Sequence, residues 1–385
     1  MSALVLPRAG GVLESYEPIA REPLPVFGSE PRTRVSYAAA HVVADPLAGG
    51  DPTGPAQLDW EATMHFRRHL WAHGMRVAEA MDTAQRGMGL DWPATQELIR
   101  RSVAEAKAVG GQLAAGAGTD HLDPAGATLD DVRRAYAEQV EFVEGAGAPV
   151  ILMASRALCA AATSADHYRA VYGELLDAAA SPVILHWLGD MFDPQLAGYW
   201  GSPDFEHTLD TVVGVIEAHA DKVDGIKISL LDAEKEIALR ERLPEGVRMY
   251  TGDDFNYPEL IRGEGGDFSH ALLGIFDAIA PAAAAAMHAL DDGDLDRYDA
   301  LLAPTVPLSR HIFAAPTPYY KTGVVFLAFL NGHQRHFRMV GGLESGRSVL
   351  HLAELFVLAD QAGLLRDPEL ASARMRHVLA LAGVT

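Results

Sequence analysis

The sequence predicts an α/β fold: a (β/α)8 TIM barrel with an N-terminal arm and a C-terminal helical extension. Three observations carry this. Between residues 35 and 282, short apolar runs alternate about eight times with longer stretches of helical period, which calls for a parallel sheet with helices outside. No GxGxxG follows a strand and no Walker-type lysine loop occurs, so the nucleotide fingerprints of an open doubly wound sheet are missing. The chain has 385 residues, 49% of them hydrophobic, enough for a closed barrel with added segments.

The elements follow in order. Residues 1–34 are rich in Pro and Gly and read as an N-terminal arm, with a hairpin as one possibility. "RVSYAAAHVVA" (34–44) reads as the first barrel strand and "DWEATMHFRRHLWAHG" (59–74) as the first helix, ending at Gly74. "RVAEAMDT" (76–83) is a strand; the next helix (91–110) has Asp91 at its N-cap, Pro93 in its first turn and Gly110 at its end. Strands at 111–118, 148–155 and 181–189 alternate with helices at 128–147, 164–180 and 205–221. "VDGIKISLL" (223–231) and "GVRMYTGDD" (246–254) are strands, with helices at 233–243 and 256–265 after them. The last strand and the start of a long helix share 268–280, and 283–385 reads as all helix. The predicted organisation is therefore arm 1–34, barrel 35–282 and extension 283–385.

Bulk properties exclude several classes. A formal net charge of −21 repels phosphate backbones and anionic lipid, which disfavours nucleic-acid and membrane-surface partners. The single cysteine, Cys159, rules out an intrachain disulfide and Cys-based zinc motifs and fits a reducing cytoplasm. The N-terminus lacks the pattern of a secretory signal, and the apolar Ala-rich stretches are too short to span a bilayer.

"VDGIKISLL" places a full positive charge inside an apolar strand. Side chains alternate along a strand, so Val223, Gly225, Lys227 and Ser229 share one face and Asp224, Ile226 and Ile228 the other. In a barrel the isoleucines pack outward and Lys227 points inward. A buried ammonium must find a carboxylate or lose its proton, and a neutral amine can form a Schiff base with a carbonyl. The ordinary role of a strand lysine is an ion pair; the neighbouring residues argue for more.

Those neighbours resemble the dihydrodipicolinate synthase / N-acetylneuraminate lyase superfamily of class I aldolases. "GIKIS" is similar to its sixth-strand motif, whose lysine forms the Schiff base, and "PVILHWLG" to its fifth strand. "MYTGDDFNYPELIRGEGGDFSHALLGIFDAIAP" resembles its seventh and eighth strands, and "LDWPATQELIRRSVAEA" the segment after its second. This similarity spans roughly residues 35–330. A closer likeness, over nearly the whole chain, is to the DUF993 branch, which carries blocks like "PTVPLSRHIFAAPTPYYKTGVVFLAFLNGHQ" and "MVGGLESGRSVLHLAELFVLADQAGLL". The resemblance implies Lys227 as nucleophile. The chain departs from the superfamily at three places. His186 stands where the catalytic tyrosine belongs, and Met191 where a carboxylate-binding arginine belongs. "DTAQR" replaces Gly-Thr-Thr-Gly-Glu: Thr83 matches, while Asp82, Gln85 and Arg86 are new. A keto group remains the expected electrophile, on a substrate other than pyruvate.

Barrel active sites lie at the C-terminal ends of the strands. Those ends carry His41, Asp45, Asp82, Thr83, His121, Ser155, Arg156, His186, Lys227, Ser229, Asp253 and Asp254. In one interpretation they bind the hydroxyls of a keto acid, keto sugar or polyol around Lys227. His186 shuttles protons, while Asp82, Thr83, His41, Ser229 and Asp253 bind substrate, with no cofactor. Asp254 is expected to cap the next helix. In a second interpretation His41, Asp82, His186 and Asp253 hold a divalent metal such as Zn2+ or Mn2+ for a sugar isomerase, epimerase or aldolase. No compact ligand motif supports that set. In a third the barrel is a non-catalytic sugar-binding protein. "NGHQRHFRMVGG" (331–342) reads in the ordinary case as a solvated connection, with closure over the barrel mouth or contact with a neighbouring subunit as the alternatives, and the apolar C-terminal helices as a surface for a homodimer or higher homo-oligomer.

Overall fold

The computed structural model describes residues 3–49, 51–81 and 85–384. Two strands, β1 (Leu4–Arg8) and β2 (Val12–Tyr16), form an antiparallel hairpin in the arm. Eight strands close the barrel: β3 (Ser36–Ala39), β4 (Arg76–Glu79), β5 (Leu113–Ala117), β6 (Val150–Leu152), β7 (Val183–Leu188), β8 (Val223–Ser229), β9 (Arg248–Thr251) and β10 (His270–Leu273). Each pairs in parallel with the next in sequence, and β10 closes onto β3.

The outer helices are α1 (Trp60–Ala72), α2 (Trp92–Val109), α3 (Leu129–Ala146), α4 (Arg156–Ala161), α5 (Ala165–Ala178), α6 (Phe205–Ala218), α7 (Ala233–Arg240), α8 (Tyr257–Arg262) and α9 (Ile275–Asp291). Their starts are written in the sequence. Asp59, Asp91, Asp204 and Asp232 each accept a hydrogen bond from a backbone N–H of the first turn, and Thr128 forms a reciprocal capping box with Asp131. The extension comprises α10 (Leu295–Leu302), α11 (Thr305–Ile312), α12 (Tyr320–Leu330), α13 (Val349–Gln361) and α14 (Pro368–Leu381). The expected boundary at 282/283 falls inside α9. No helix among the described residues is long and apolar enough to cross a membrane.

Strands are shorter than the apolar runs that predict them. The run 34–44 pairs only over Ser36–Ala39, because beyond Ala39 the backbone turns to feed hydrogen bonds into loops: the N–H of His41 donates to Asp277 at 2.6 Å and that of Val42 to Gln85 at 2.8 Å. Alternation along β8 holds from Gly225 onward. Val223 is a correction: it packs in the outer core with Ile226 and Ile228. The pairing with β7 shifts between Val183 and Ile184, so Val223 faces Val183 but Gly225 faces Ile184. One extra residue in a strand turns the preceding side chain to the other face.

The barrel interior is filled by Tyr37, Ala39, Ala78, Ala114, Ile151, Ile184, Tyr250 and Leu272 among others, a packed core below the site. The extension is anchored to the barrel mouth. All of α12 is buried. Its Lys321 donates to the carbonyl of Ala39, at the end of β3, at 2.6 Å, and lies 3.8 Å from Asp277 of α9. The hairpin clasps α13: Arg8 pairs with Glu354 at 2.6 Å, and the Tyr16 hydroxyl donates to Asp360 at 2.6 Å.

Candidate active site

Lys227 reaches the barrel interior, 6% exposed. Its Nζ lies 4.0 Å from the sulfur of Met81, an inner-core residue. The side chain passes over Gly252, just after β9. A Cβ there would stand 2.6 Å from Lys227 Cε and collide with Ser229 Oγ. The glycine of "TGDD" is thus required for space.

His186 is the register partner of Lys227 on the neighbouring strand. Its Nε2 is 3.4 Å from Ser229 Oγ, while its Nδ1 is enclosed with no hydrogen-bond partner. Burial, and secondly the positive charge of Lys227, push the imidazole well below its ordinary pKa. The ring is therefore neutral at physiological pH.

Lys227, His186 and Ser229 share a small cavity with Asp254, Tyr320 and Met81. It has about 20 Å³ of room for water-sized spheres, enough to hold a water. The extension contributes to this wall directly. Tyr320, at the start of α12, stacks on Phe313 with ring centres 4.3 Å apart. Gly274, following β10, makes the approach possible: a Cβ there would lie 2.9 Å from Phe313 and 3.2 Å from the Tyr320 ring.

The other expected residues separate into groups. Asp82 and Thr83 lie outside the described residues. His41 is fully buried, with Nδ1 2.9 Å from Asp277 and Nε2 3.2 Å from Gln334. Both ring nitrogens are engaged, and it does not line the lysine cavity. The two aspartates after β9 exchange the roles expected of them. Asp253 accepts from the N–H groups of Phe255 and Asn256 and from the Asn256 amide, at 2.8–3.0 Å, and so organises the turn. Asp254 lines the cavity and accepts from the N–H of Ile275 at 2.8 Å.

The "DTAQR" residues that can be placed are structural. Gln85 ties to Val42 and Ala40, while Arg86 pairs with Asp120 and donates to the carbonyl of Gly116 at 2.8 Å. His121 contacts Gln139 and Glu138, and Ser155 caps α4. Among the described residues no three His, Cys, Asp or Glu side chains are grouped to hold a metal ion. Of the set proposed for a metal, His41, His186 and Asp253 have the separate environments just given.

Residues 331–342 are partly exposed, as expected of a connection, and partly buried. His333 and Gln334 are buried, His333 with its ring 4.2 Å from that of His69 on α1. Sequence inspection also missed Tyr320 and Lys321 as neighbours of the barrel mouth. The available signal was a Tyr-Lys-Thr at the head of a helix that is apolar from Gly323 onward, polar groups that a buried helix must pair.

The fold is similar to that of solved barrels described as dihydrodipicolinate synthases or as belonging to that family. The similar solved structures include the Escherichia coli K12 prophage protein YagE, in complex with pyruvate (TM-score 0.67, 13% identity, covering 86% of this chain and 99% of that one). A putative dihydrodipicolinate synthetase from Pseudomonas aeruginosa has a TM-score of 0.63 at 18% identity, covering 86% and 99%. Dihydrodipicolinate synthase from Aquifex aeolicus has 0.61 at 12%, covering 91% and 98%. The chain itself belongs to the family described as "Protein of unknown function (DUF993)", whose model matches residues 4–384. No curated relative matches it.

Proposed function

We propose that this protein is a Schiff-base-forming lyase, aldolase or hydro-lyase acting on a keto acid, keto sugar or related polyhydroxy carbonyl compound. The observation that carries the proposal is the Lys227 amine in an interior cavity at the C-terminal end of the barrel, beside His186 and Ser229. The barrel likeness to dihydrodipicolinate synthases is consistent with it.

In the proposed reaction Lys227 first gives up its proton, and its neutral nitrogen then attacks the keto carbon as the carbonyl electron pair moves to oxygen. That oxygen takes up a proton, and the nitrogen gives one up, forming the carbinolamine. Protonation of its hydroxyl then releases water and leaves the iminium, an electron sink for C–C or C–O cleavage at the adjacent carbon. In C–C cleavage the β-hydroxyl gives up its proton and becomes a carbonyl, and the electron pair of the broken bond is held as an enamine, which takes up a proton at the α-carbon to restore an iminium; in C–O cleavage an α-proton leaves first and the resulting enamine expels the protonated β-hydroxyl as water, again leaving an iminium. Attack by water on that iminium carbon then frees product and Lys227.

His186 is poorly suited to the proton-shuttle role expected for it, since its burial makes the imidazolium inaccessible near neutral pH. It serves instead as a neutral hydrogen-bond partner to the substrate oxygen. Among the described residues, Tyr320 and Ser229 are the hydroxyl-bearing side chains that line the cavity, and Tyr320 is assigned the proton transfer. A substrate larger than a water displaces part of this wall on entry.

Borohydride reduction in the presence of a panel of α-keto acids and keto sugars, with peptide mass mapping, tests the proposal. The expected product is a secondary amine on Lys227. No adduct with any carbonyl compound, or adducts only on surface lysines, would overturn it.

A further inference from the structure

A larger cavity lies outside the barrel, and none of its lining residues borders the lysine site. The N-terminal arm, α1, α9 and the connections after α12 and α13 enclose it, with about 230 Å³ of room for water-sized spheres. For scale, an apolar protein cavity of about 150 Å³ holds benzene. Leu24, Pro281 and Leu365 supply apolar wall, and His69, His73 and His333 converge on it. The His69 ring is 4.8 Å from His73 and 4.2 Å from His333. His73 and His333 are 5% and 9% exposed, and the Nδ1 of each is enclosed without a hydrogen-bond partner.

The charges around this cavity are unbalanced. Arg366 is exposed and belongs to the lining. Its backbone is fixed by a bond from its N–H to Asn331 at 2.9 Å, yet among the described residues its guanidinium forms no salt bridge. Arg21 also borders the cavity. The acid on the inner wall, Asp277, is already committed to His41 and Lys321, which leaves exposed Glu22 as the other lining carboxylate among the described residues. In a chain of net charge −21, this is a local excess of cationic and neutral donor groups over an apolar pocket. Mostly apolar walls with a few convergent polar groups are the usual composition of a small-molecule site. Guanidinium groups and neutral imidazoles, each ring offering one donor, suit a carboxylate or phosphate.

We propose that this cavity binds a small organic anion, its apolar body inside against Leu24, Pro281 and Leu365 and its anionic head at Arg366 and the imidazoles. A carboxylate and a phosphate monoester share this chemistry, and the probes below separate them.

The test is calorimetric titration of the full chain with benzoate, hexanoate, phenyl phosphate and inorganic phosphate. At least one probe with an apolar body should bind 1:1, about tenfold or more tighter than inorganic phosphate. Arg366→Ala, at an exposed position, should weaken that binding about tenfold or more. Ala72→Phe, also exposed on the cavity rim, should block it, and Lys227→Met should leave it intact. Circular dichroism and melting checks establish that each variant is folded. Absence of binding by all four probes would overturn the proposal. So would binding unchanged in both Arg366→Ala and Ala72→Phe, or binding abolished by Lys227→Met, which would place the ligand in the barrel.

Discussion

His186 and Lys227 face each other as register partners on adjacent strands, and the charge of the lysine helps to keep the imidazole neutral. Two basic groups this close do not both carry a proton comfortably. The imidazole is thus the neutral member of the pair, and the lysine carries the proton that it must give up before it can attack a carbonyl.

Lys227→Met is expected to abolish borohydride trapping while the protein stays folded. The substitution keeps most of the stem and removes a buried charge, so stability should change by no more than about 2 kcal/mol, with either sign allowed. Mass mapping and urea denaturation check the two halves. Persistence of a stoichiometric adduct in the variant would count against the lysine.

Tyr320→Phe preserves the stacking on Phe313 and deletes only the phenolic hydroxyl. If Tyr320 transfers the proton, adduct formation should slow by about 10²-fold or more. Rapid-quench trapping against pH measures this, and an unchanged rate and pH profile would remove Tyr320 from the mechanism.

Gly252→Ala places a methyl group against Lys227 Cε and Ser229 Oγ. The cost of such overpacking is about 1–3 kcal/mol, and because it falls on the nucleophile, trapping should drop more than stability. Thermal melting paired with the trapping rate provides the comparison. A variant that traps at the wild-type rate would mean that the lysine does not follow this path.

Arg67 and Glu79 form a fully buried pair, with nitrogen–oxygen distances of 2.7 and 2.9 Å, beneath the strand ends of β3 and β4. Glu79→Leu leaves the guanidinium uncompensated and should cost about 3–5 kcal/mol. Adding Arg67→Met should recover much of that loss. A double-mutant cycle in urea gives the answer, and additive penalties would show that the two charges do not stabilise one another.

Acid should destabilise the fold from about pH 6.5 downward. Burial holds His186 well below its ordinary pKa, with His69 pushed down to about 2, His333 to about 3 and His270 to about 4. Unfolded histidines take up protons near pH 6.5 while these native ones do not. Each contributes stability that is present above that value and lost as pH falls, by up to about 1.4 kcal/mol per pH unit. Glu236 acts in the opposite sense: burial raises its pKa to about 8. Its unfolded form ionises near 4.5, so its contribution is lost as pH rises between those values. His73, His336 and His351 are lowered by burial as well, and Asp253 is the other carboxyl that burial raises, so the imidazoles outnumber the raised carboxyls and should dominate between pH 6.5 and 5. Denaturant midpoints across pH 5–8 test the sign, and a flat profile would show that these rings are hydrated in the native state.

The legibility of the chain follows the range of the forces involved. Strand and helix order, the Asp91 cap and the inward direction of Lys227 depend on neighbours within a few residues, and these were readable. The strand ends were not. Ser36–Ala39 stops short of its apolar run because His41 and Val42 bond to partners 236 and 43 residues away. Asp253 and Asp254 are adjacent and chemically identical, so only the turn geometry decides which carboxylate organises the loop and which one faces the cavity.

Period and turn chemistry therefore determined by themselves that this chain is a barrel with a lysine inside it. Tertiary structure alone decided what surrounds that lysine. Tyr320 and Lys321 reach the barrel mouth because a wholly buried helix must pair its few polar groups, and Lys321 does so at Ala39, 282 residues away. No local pattern encodes a partner at that distance, since only the closed ring of strands brings the two ends of the chain together.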